Sequence, residues 1–274
     1  MGLELLVGTN PKVDKVAEGF TFTEGPVFSR TGYLLFSDVR ANRILRWDSG
    51  KVKPFREKSN GANGLTFDHQ GRLLTCEHDR VTRTEKDGSI TVLASAFEGA
   101  PLARPNDRVY AIDGSIYFSV IQPRGGAGPD NPGVYQITRK GQLRLVTREC
   151  TRPNGVALAP NQQKLFIADN DQRNLRAFEV NGDGSLRNGW IFCELRGEAP
   201  GGPDGLKTDE AGNVWVAGPG GIWVFDGVGK HLGTVPLPET PSNCAWGAGF
   251  RNLYVTARAS IYRIETKVNG TRTY

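Results

Sequence analysis

Histidine is scarce in this chain of 274 residues: His69, His78 and His231 are scattered and never form an H-x-H or H-E-x-x-H pattern. A histidine-built zinc centre is excluded on ligand count. No G-x-S-x-G segment occurs, so the elbow that presents a serine nucleophile is missing. The four cysteines, Cys76, Cys150, Cys193 and Cys244, lie far apart with no C-x-x-C pair, and read as small buried hydrophobes. No apolar run approaches the roughly 18 residues of a membrane helix, and the start, Met-Gly-Leu-Glu-Leu-Leu-Val-Gly, lacks the basic residues of a secretion signal. A cytoplasmic protein without a membrane partner is expected. The net charge is +5, but 34 basic residues are interleaved with 29 acidic ones. With no basic run or aromatic-basic block, nucleic acid is not an expected partner. Helical periodicity over ten or more residues is absent as well.

Glycine is abundant: 35 of 274 residues, against a usual share of about 7%. No collagen-like period accompanies it, so the glycines read as turns between many short strands. A repeat organises them. Six blocks each open on an acidic or amide residue: Glu24-Gly-Pro-Val-Phe, Asn63-Gly-Leu-Thr-Phe, Asn106-Asp-Arg-Val-Tyr, Asn154-Gly-Val-Ala-Leu, Asp204-Gly-Leu-Lys-Thr and Asn243-Cys-Ala-Trp, at steps of 39, 43, 48, 50 and 39 residues. Each block continues through a polar turn to a second apolar strand, such as Tyr33-Leu-Leu-Phe-Ser, and a third, such as Arg43-Ile-Leu-Arg-Trp. Runs of 4–6 residues rich in Val, Ile and aromatics between turn signals are strands. A fourth strand follows at Val52, Thr91, Arg144 and Thr234. Four antiparallel strands repeated at this period predict an all-β fold, a single six-bladed propeller spanning the chain. The sixth unit stops near Ile264, so its outer strand is expected from the N-terminus, at Lys12–Glu18, which leaves no free sheet edge. The polar tail from Thr266 to Tyr274 is expected to fray. Gly218-Pro-Gly-Gly221 lacks the lysine and helix of a phosphate loop and reads as a turn.

In a propeller the innermost strands line a central channel, so equivalent strand starts form a ring around one mouth. Here that ring is Glu24, Asn63, Asn106, Asn154, Asp204 and Asn243: two carboxylates and four carboxamides, all oxygen donors. Hard divalent cations take such ligands, and two anionic oxygens balance a 2+ charge. Asn and Asp also favour turn starts for local reasons, but six in register on one axis point to a metal site. Pro105, Pro153 and Pro203 stand before three of the ring residues and stiffen the approach to the strand. Oxygen ligands suit Ca best; Mg, Mn, Zn and Fe stay open.

The segments Thr23-Glu-Gly-Pro-Val-Phe28, Asn63-Gly-Leu-Thr-Phe67, Cys76-Glu-His, Pro105-Asn-Asp107, Arg152-Pro-Asn-Gly-Val156, Pro203-Asp-Gly-Leu-Lys207 and Gly218-Pro-Gly-Gly-Ile-Trp-Val-Phe225 resemble the gluconolactonase family that includes regucalcin, over nearly the whole chain. The resemblance implies a six-bladed propeller with a channel-bound divalent cation. By position, Glu24, Asn154 and Asp204 resemble metal ligands, Asn106 an amide that binds metal or substrate, and Arg104 an arginine that contacts substrate oxygens. Asn63 and Asn243 line the channel, with Asn63 a candidate for substrate contact, and His78 is an auxiliary pocket candidate. The chain departs from the pattern at Ser119-Val-Ile-Gln-Pro-Arg-Gly-Gly126, a loop expected over the pocket, where Arg124 is placed to meet an anionic substrate.

The expected reaction is opening of a small-molecule sugar lactone by water activated at the cation, with Asp204 as base, in a monomer or weak dimer. Two alternatives share the same ring. One is a phosphotriesterase. The other is a non-catalytic propeller in which the metal is structural and the faces bind proteins.

Overall fold

The predicted strands pair into six four-stranded antiparallel sheets in a computed structural model that describes residues 2–123, 125 and 129–272. Blade one is built from Thr23–Phe28, Leu34–Asp38, Arg43–Asp48 and Lys51–Glu57. Blades two to five follow in the same sequential order, opening on Leu65–Phe67, Pro105–Tyr110, Pro153–Leu158 and Leu206–Thr208. Blade six takes Pro241–Gly247, Asn252–Ala257 and Ser260–Glu265 from the C-terminal end and its fourth strand, Val13–Glu18, from the N-terminal end. That closing pair runs from Val13 opposite Ile264 to Glu18 opposite Ser260, with a shift of register between Lys15 and Ala17. Among the described residues the only helix is the single turn Glu4–Val7, whose Leu6 and Val7 pack onto blades five and six.

The burial gradient across a blade follows from its place in the ring. Thr23–Phe28, innermost in blade one, is buried along nearly its whole length, whereas Lys51–Glu57, outermost, is mostly exposed. Hydrophobic side chains from both faces of each sheet meet those of the neighbouring blade, giving six clusters, one per blade interface. The last, between blades six and one, stacks Phe28 on Tyr254 and sets Phe20 edge-on to Phe36. Because every blade is buried on both faces by its neighbours, the ring holds the strand starts at fixed positions. Asp side chains cap the tight turns: Asp113 accepts from Ser115 N–H, and Asp209 from Ala211 N–H, Asn213 N–H and Trp215 Nε1. Gly218-Pro-Gly-Gly221 is a tight turn built without an Asp cap, joining Val214–Gly218 to Gly221–Phe225.

Two regions differ from the expectation. Blade four has a fourth strand that the sequence pattern does not declare, Leu186–Glu194. The tail is not frayed over its described part. Thr271 N–H donates to Thr208 O at 3.0 Å, Asp209 bridges to Gly270, and a Cβ on Gly270 would stand 1.9 Å from the Trp246 ring. Residues 266–272 therefore lie across the end of the channel opposite the ring of strand starts; Thr273 and Tyr274 are outside the described residues.

Candidate functional site

The six leading residues stand at or just before the innermost strands of the six blades, and the local backbone bears on how they sit. In blades one, three, four and six the pairing register of the innermost strand slips at or beside the leading residue, between Glu24 and Val27, Pro105 and Arg108, Pro153 and Val156, and Pro241 and Asn243. Such slips re-aim side chains at a strand end. The glycine that follows the leading residue makes room for the next blade. A Cβ on Gly155 would lie 2.2 Å from the Asp204 carbonyl oxygen, and one on Gly25, at φ +51°, 2.0 Å from that of Asn63. Small polar side chains lock the junctions: Ser37 Oγ donates to Asn63 O, and Ser242 Oγ to Thr23 O.

Glu24 is 3% exposed. Its Oε2 accepts from Gly25 N–H at 2.7 Å and from Asn243 Nδ2 at 3.3 Å, while Asn243 Oδ1 accepts from Cys244 N–H. Asn243 thus orients Glu24 instead of presenting an oxygen to the axis. Asn154 Oδ1 and Asn63 Oδ1 are both buried with no donor among the described residues. An orphaned buried oxygen is costly unless something absent from the protein atoms satisfies it. Asn106 is also buried, and Asp204 stands half-buried at the mouth.

Electrostatics sets the carboxylates apart. Burial, with the nearby Asp107 charge added, pushes the Glu24 carboxyl up to about 7, against partial relief from Gly25 N–H, Asn243 and Lys207. Asp204 is raised well above the usual carboxylate range by burial, then by Glu24 and Asp107. Groups held away from their ordinary protonation by burial and like charge mark functional sites. Among the described residues no three His, Cys, Asp or Glu side chains gather closely enough to hold an ion by themselves. The oxygens at these strand starts are of mixed kind, the Glu24 and Asp204 carboxylates together with the amides of Asn63, Asn106 and Asn154, and a hard divalent cation takes donors of these kinds.

The ring continues inward to residues that the sequence reading passed over. Asp107 Oδ2 accepts from Val156 N–H at 3.3 Å, and its Oδ1 lies 3.5 Å from Arg108 Nη1. The Arg108 side chain is fully buried, and none of its three guanidinium nitrogens has a hydrogen-bond partner among the described residues. Burial lowers its pKa, against support from Cys76, Asp107 and Glu24. A signal for both was present. Four other blades carry glycine where Asp107 stands, and the five other blades carry Pro26, Leu65, Val156, Leu206 and Ala245 where Arg108 stands.

The remaining candidates lie apart. Arg104 Nη2 is 3.5 Å from His78 Nδ1 on the blade two and three side of the mouth. Glu77, beside His78, is structural: it accepts from Arg56, Arg80, Thr82 and Asn60. The cavity that reaches Asp204, about 610 Å³, opens on the other side, between Phe22 and Arg40 of blade one, Asn170 and Arg173 of blade four, and Thr240, Ser242 and Arg258 of blade six. Neither Arg104 nor His78 lines it. Arg124 lies outside the described residues.

Residues 22–259 match the SMP-30/Gluconolactonase/LRE-like region. The chain belongs to that family. It is 28% identical to a gluconolactonase of Zymomonas mobilis, across 98% of this chain and 85% of that protein. It is 26% identical to a diisopropyl-fluorophosphatase of Loligo vulgaris, across 96% and 95%. Its structure superposes on that of a gluconolactonase from Xanthomonas campestris with a TM-score of 0.87 at 28% identity, covering 96% of this chain and 92% of the other.

Proposed function

We propose that this protein is a divalent-cation-dependent hydrolase of sugar lactones. The reading is carried by two carboxylates, Glu24 and Asp204, both raised above their ordinary protonation range, Asp204 in part by the Glu24 charge, with Asp204 opening onto a cavity and with the Asn63 and Asn154 amide oxygens lacking a donor among the described residues. Membership in a family with gluconolactonases supports the substrate class. Glu24, Asn154 and Asp204 would hold the cation, with Asn106 shared with substrate. Lewis acidity toward the lactone carbonyl is the chemistry a bound cation supplies. Asp204, open to the cavity, accepts the proton of the attacking water; the carbonyl carbon gains that oxygen, the ring C–O bond breaks, and the proton passes to the leaving alkoxide. The Asn106 amide N–H donates to the developing oxyanion. Asn243 keeps Glu24 aimed at the axis, and Asp107 and Arg108 hold the layer below.

The test is Asp204→Ala, assayed by acid release from glucono- and xylonolactones with each cation restored after chelation. Hydrolysis should be lost along with its cation dependence; a fully active variant would sink the assignment. A second reading, phosphotriester hydrolysis at the same residues, is favoured by the likeness to a diisopropyl-fluorophosphatase. Assaying a phosphotriester beside the lactones decides between them. Loss of folding on chelation, measured by circular dichroism, would instead support a structural metal.

A further inference from the structure

The cavity at Asp204 is larger than a monosaccharide lactone fills, and its rim is cationic: Arg40, Arg173 and Arg258 face it from three blades. Each is held differently. Arg173 Nη2 donates to Gly197 O at 2.9 Å, which fixes it on the blade four side. The Arg40 guanidinium lies over the Phe22 ring at 5.3 Å from its centroid. Arg258 sits at a left-handed φ of +45°, and its carbonyl accepts from Thr23 N–H at 2.8 Å, one residue before Glu24. Arg258 stands in the two-residue turn joining Asn252–Ala257 to Ser260–Glu265, where a left-handed φ is the ordinary hairpin conformation, and Arg173 shares it at φ +55°. Among the described residues no ion pair or side-chain hydrogen bond engages the guanidinium of Arg40 or Arg258. Two acids also line the cavity: Asp204, the proposed base, and Asp171, which has an interaction of its own. Neutral hydroxyls give no reason for three guanidinium groups around one opening, whereas phosphate and carboxylate match their planar, forked donors.

We propose that this cavity selects lactones carrying an anionic group remote from the ester, a phosphate ester or a carboxylate, bound by Arg40, Arg173 and Arg258; this rests on the lactonase reading above. The experiment compares kcat/KM on glucono-1,5-lactone, 6-phosphoglucono-1,5-lactone and glucaro-1,4-lactone for the wild type and the Arg40→Gln/Arg258→Gln variant. At least one anionic lactone should be preferred by ~10-fold or more over the neutral one, and which of the two it is separates phosphate from carboxylate. The variant should lose that preference while keeping gluconolactone turnover within about twofold, and added salt should erode only the anionic rate. Equal turnover of all three lactones, or an equal loss on all three in the variant, overturns the proposal and leaves lactone hydrolysis standing. Thermal shifts with 6-phosphogluconate, glucarate and gluconate form a second arm that needs no catalysis. If no lactone is opened, a larger shift with 6-phosphogluconate or glucarate than with gluconate that disappears in the variant upholds the anion site and overturns the lactonase reading. The same small shift from all three ligands overturns the anion site.

Discussion

Replacing Glu24 with glutamine should stabilise the metal-free protein while abolishing its activity. The wild-type carboxyl is raised from 4.5 to about 7, chiefly by burial. The folded state therefore binds this proton more tightly than the unfolded state, and the stability so gained is complete below about pH 4.5 and lost as pH rises toward about 7. A shift of this size corresponds to roughly 3 kcal/mol above neutral pH, at 1.36 kcal/mol per pK unit. Glutamine keeps the shape and the carbonyl that accepts from Gly25 N–H but carries no charge to desolvate. At pH 8 Glu24→Gln should recover much of that 3 kcal/mol, about 5 °C in Tm for a chain of this length. The assay is thermal unfolding from pH 5 to 8 after chelation, with and without added calcium. The wild-type Tm should fall with pH and the variant's should fall less, since Asp204 still contributes a slope in the same direction. Calcium should restore the wild type at pH 8 and do little for the variant. A pH-independent wild type, with a variant less stable at pH 8, would refute the reasoning.

Arg108→Met should cost about 3 kcal/mol in urea unfolding, because it strands Asp107 in the interior, and adding Asp107→Asn should recover much of the loss. Gly155→Ala places a Cβ 2.2 Å from the Asp204 carbonyl, so lactone hydrolysis should fall by ~10-fold or more, a displacement effect on the reacting geometry, with the circular dichroism spectrum unchanged. Deleting residues 266–274 uncovers Trp246 and removes the Thr271–Thr208 bond; stability should drop by roughly 2 kcal/mol, while gluconolactone kcat at 25 °C stays at the wild-type level.

The blades are legible in the sequence because their turns repeat chemically, with an Asp or Gly at a fixed offset from each apolar run. The N-terminal closing strand follows from counting, since a ring of six needs the strand that the C-terminal end omits. Blade four's outer strand escaped because Asn188-Gly189 sits in its middle and reads as a turn. In the structure Gly189 is there because a Cβ would stand 2.4 Å from the Phe178 ring, a packing demand with no local signature. The tail escaped for a related reason. It docks mainly through backbone hydrogen bonds and a glycine laid on Trp246, and a polar segment held that way has the composition of a loose end.

The candidate site shows the same division more sharply. A repeat reveals what six blades share, so Glu24, Asn63, Asn106, Asn154, Asp204 and Asn243 were found together, although Asn243 serves Glu24 and not the axis. Function in a repeat fold depends on where the blades stop being alike. Blade three breaks the pattern at Asp107 and Arg108, and those two substitutions put a carboxylate and a buried guanidinium under the ring, where they bear on both Glu24 and, through Asp107, Asp204. The arginines of the cavity rim are likewise unequal: among the described residues they come from blades one, four and six. A symmetric ring of oxygens can hold an ion but cannot tell one end of a substrate from the other. In the proposed lactonase the asymmetry of blade three below and of the rim above gives the channel a direction, so the residues that depart from the repeat are the ones to mutate before those that obey it.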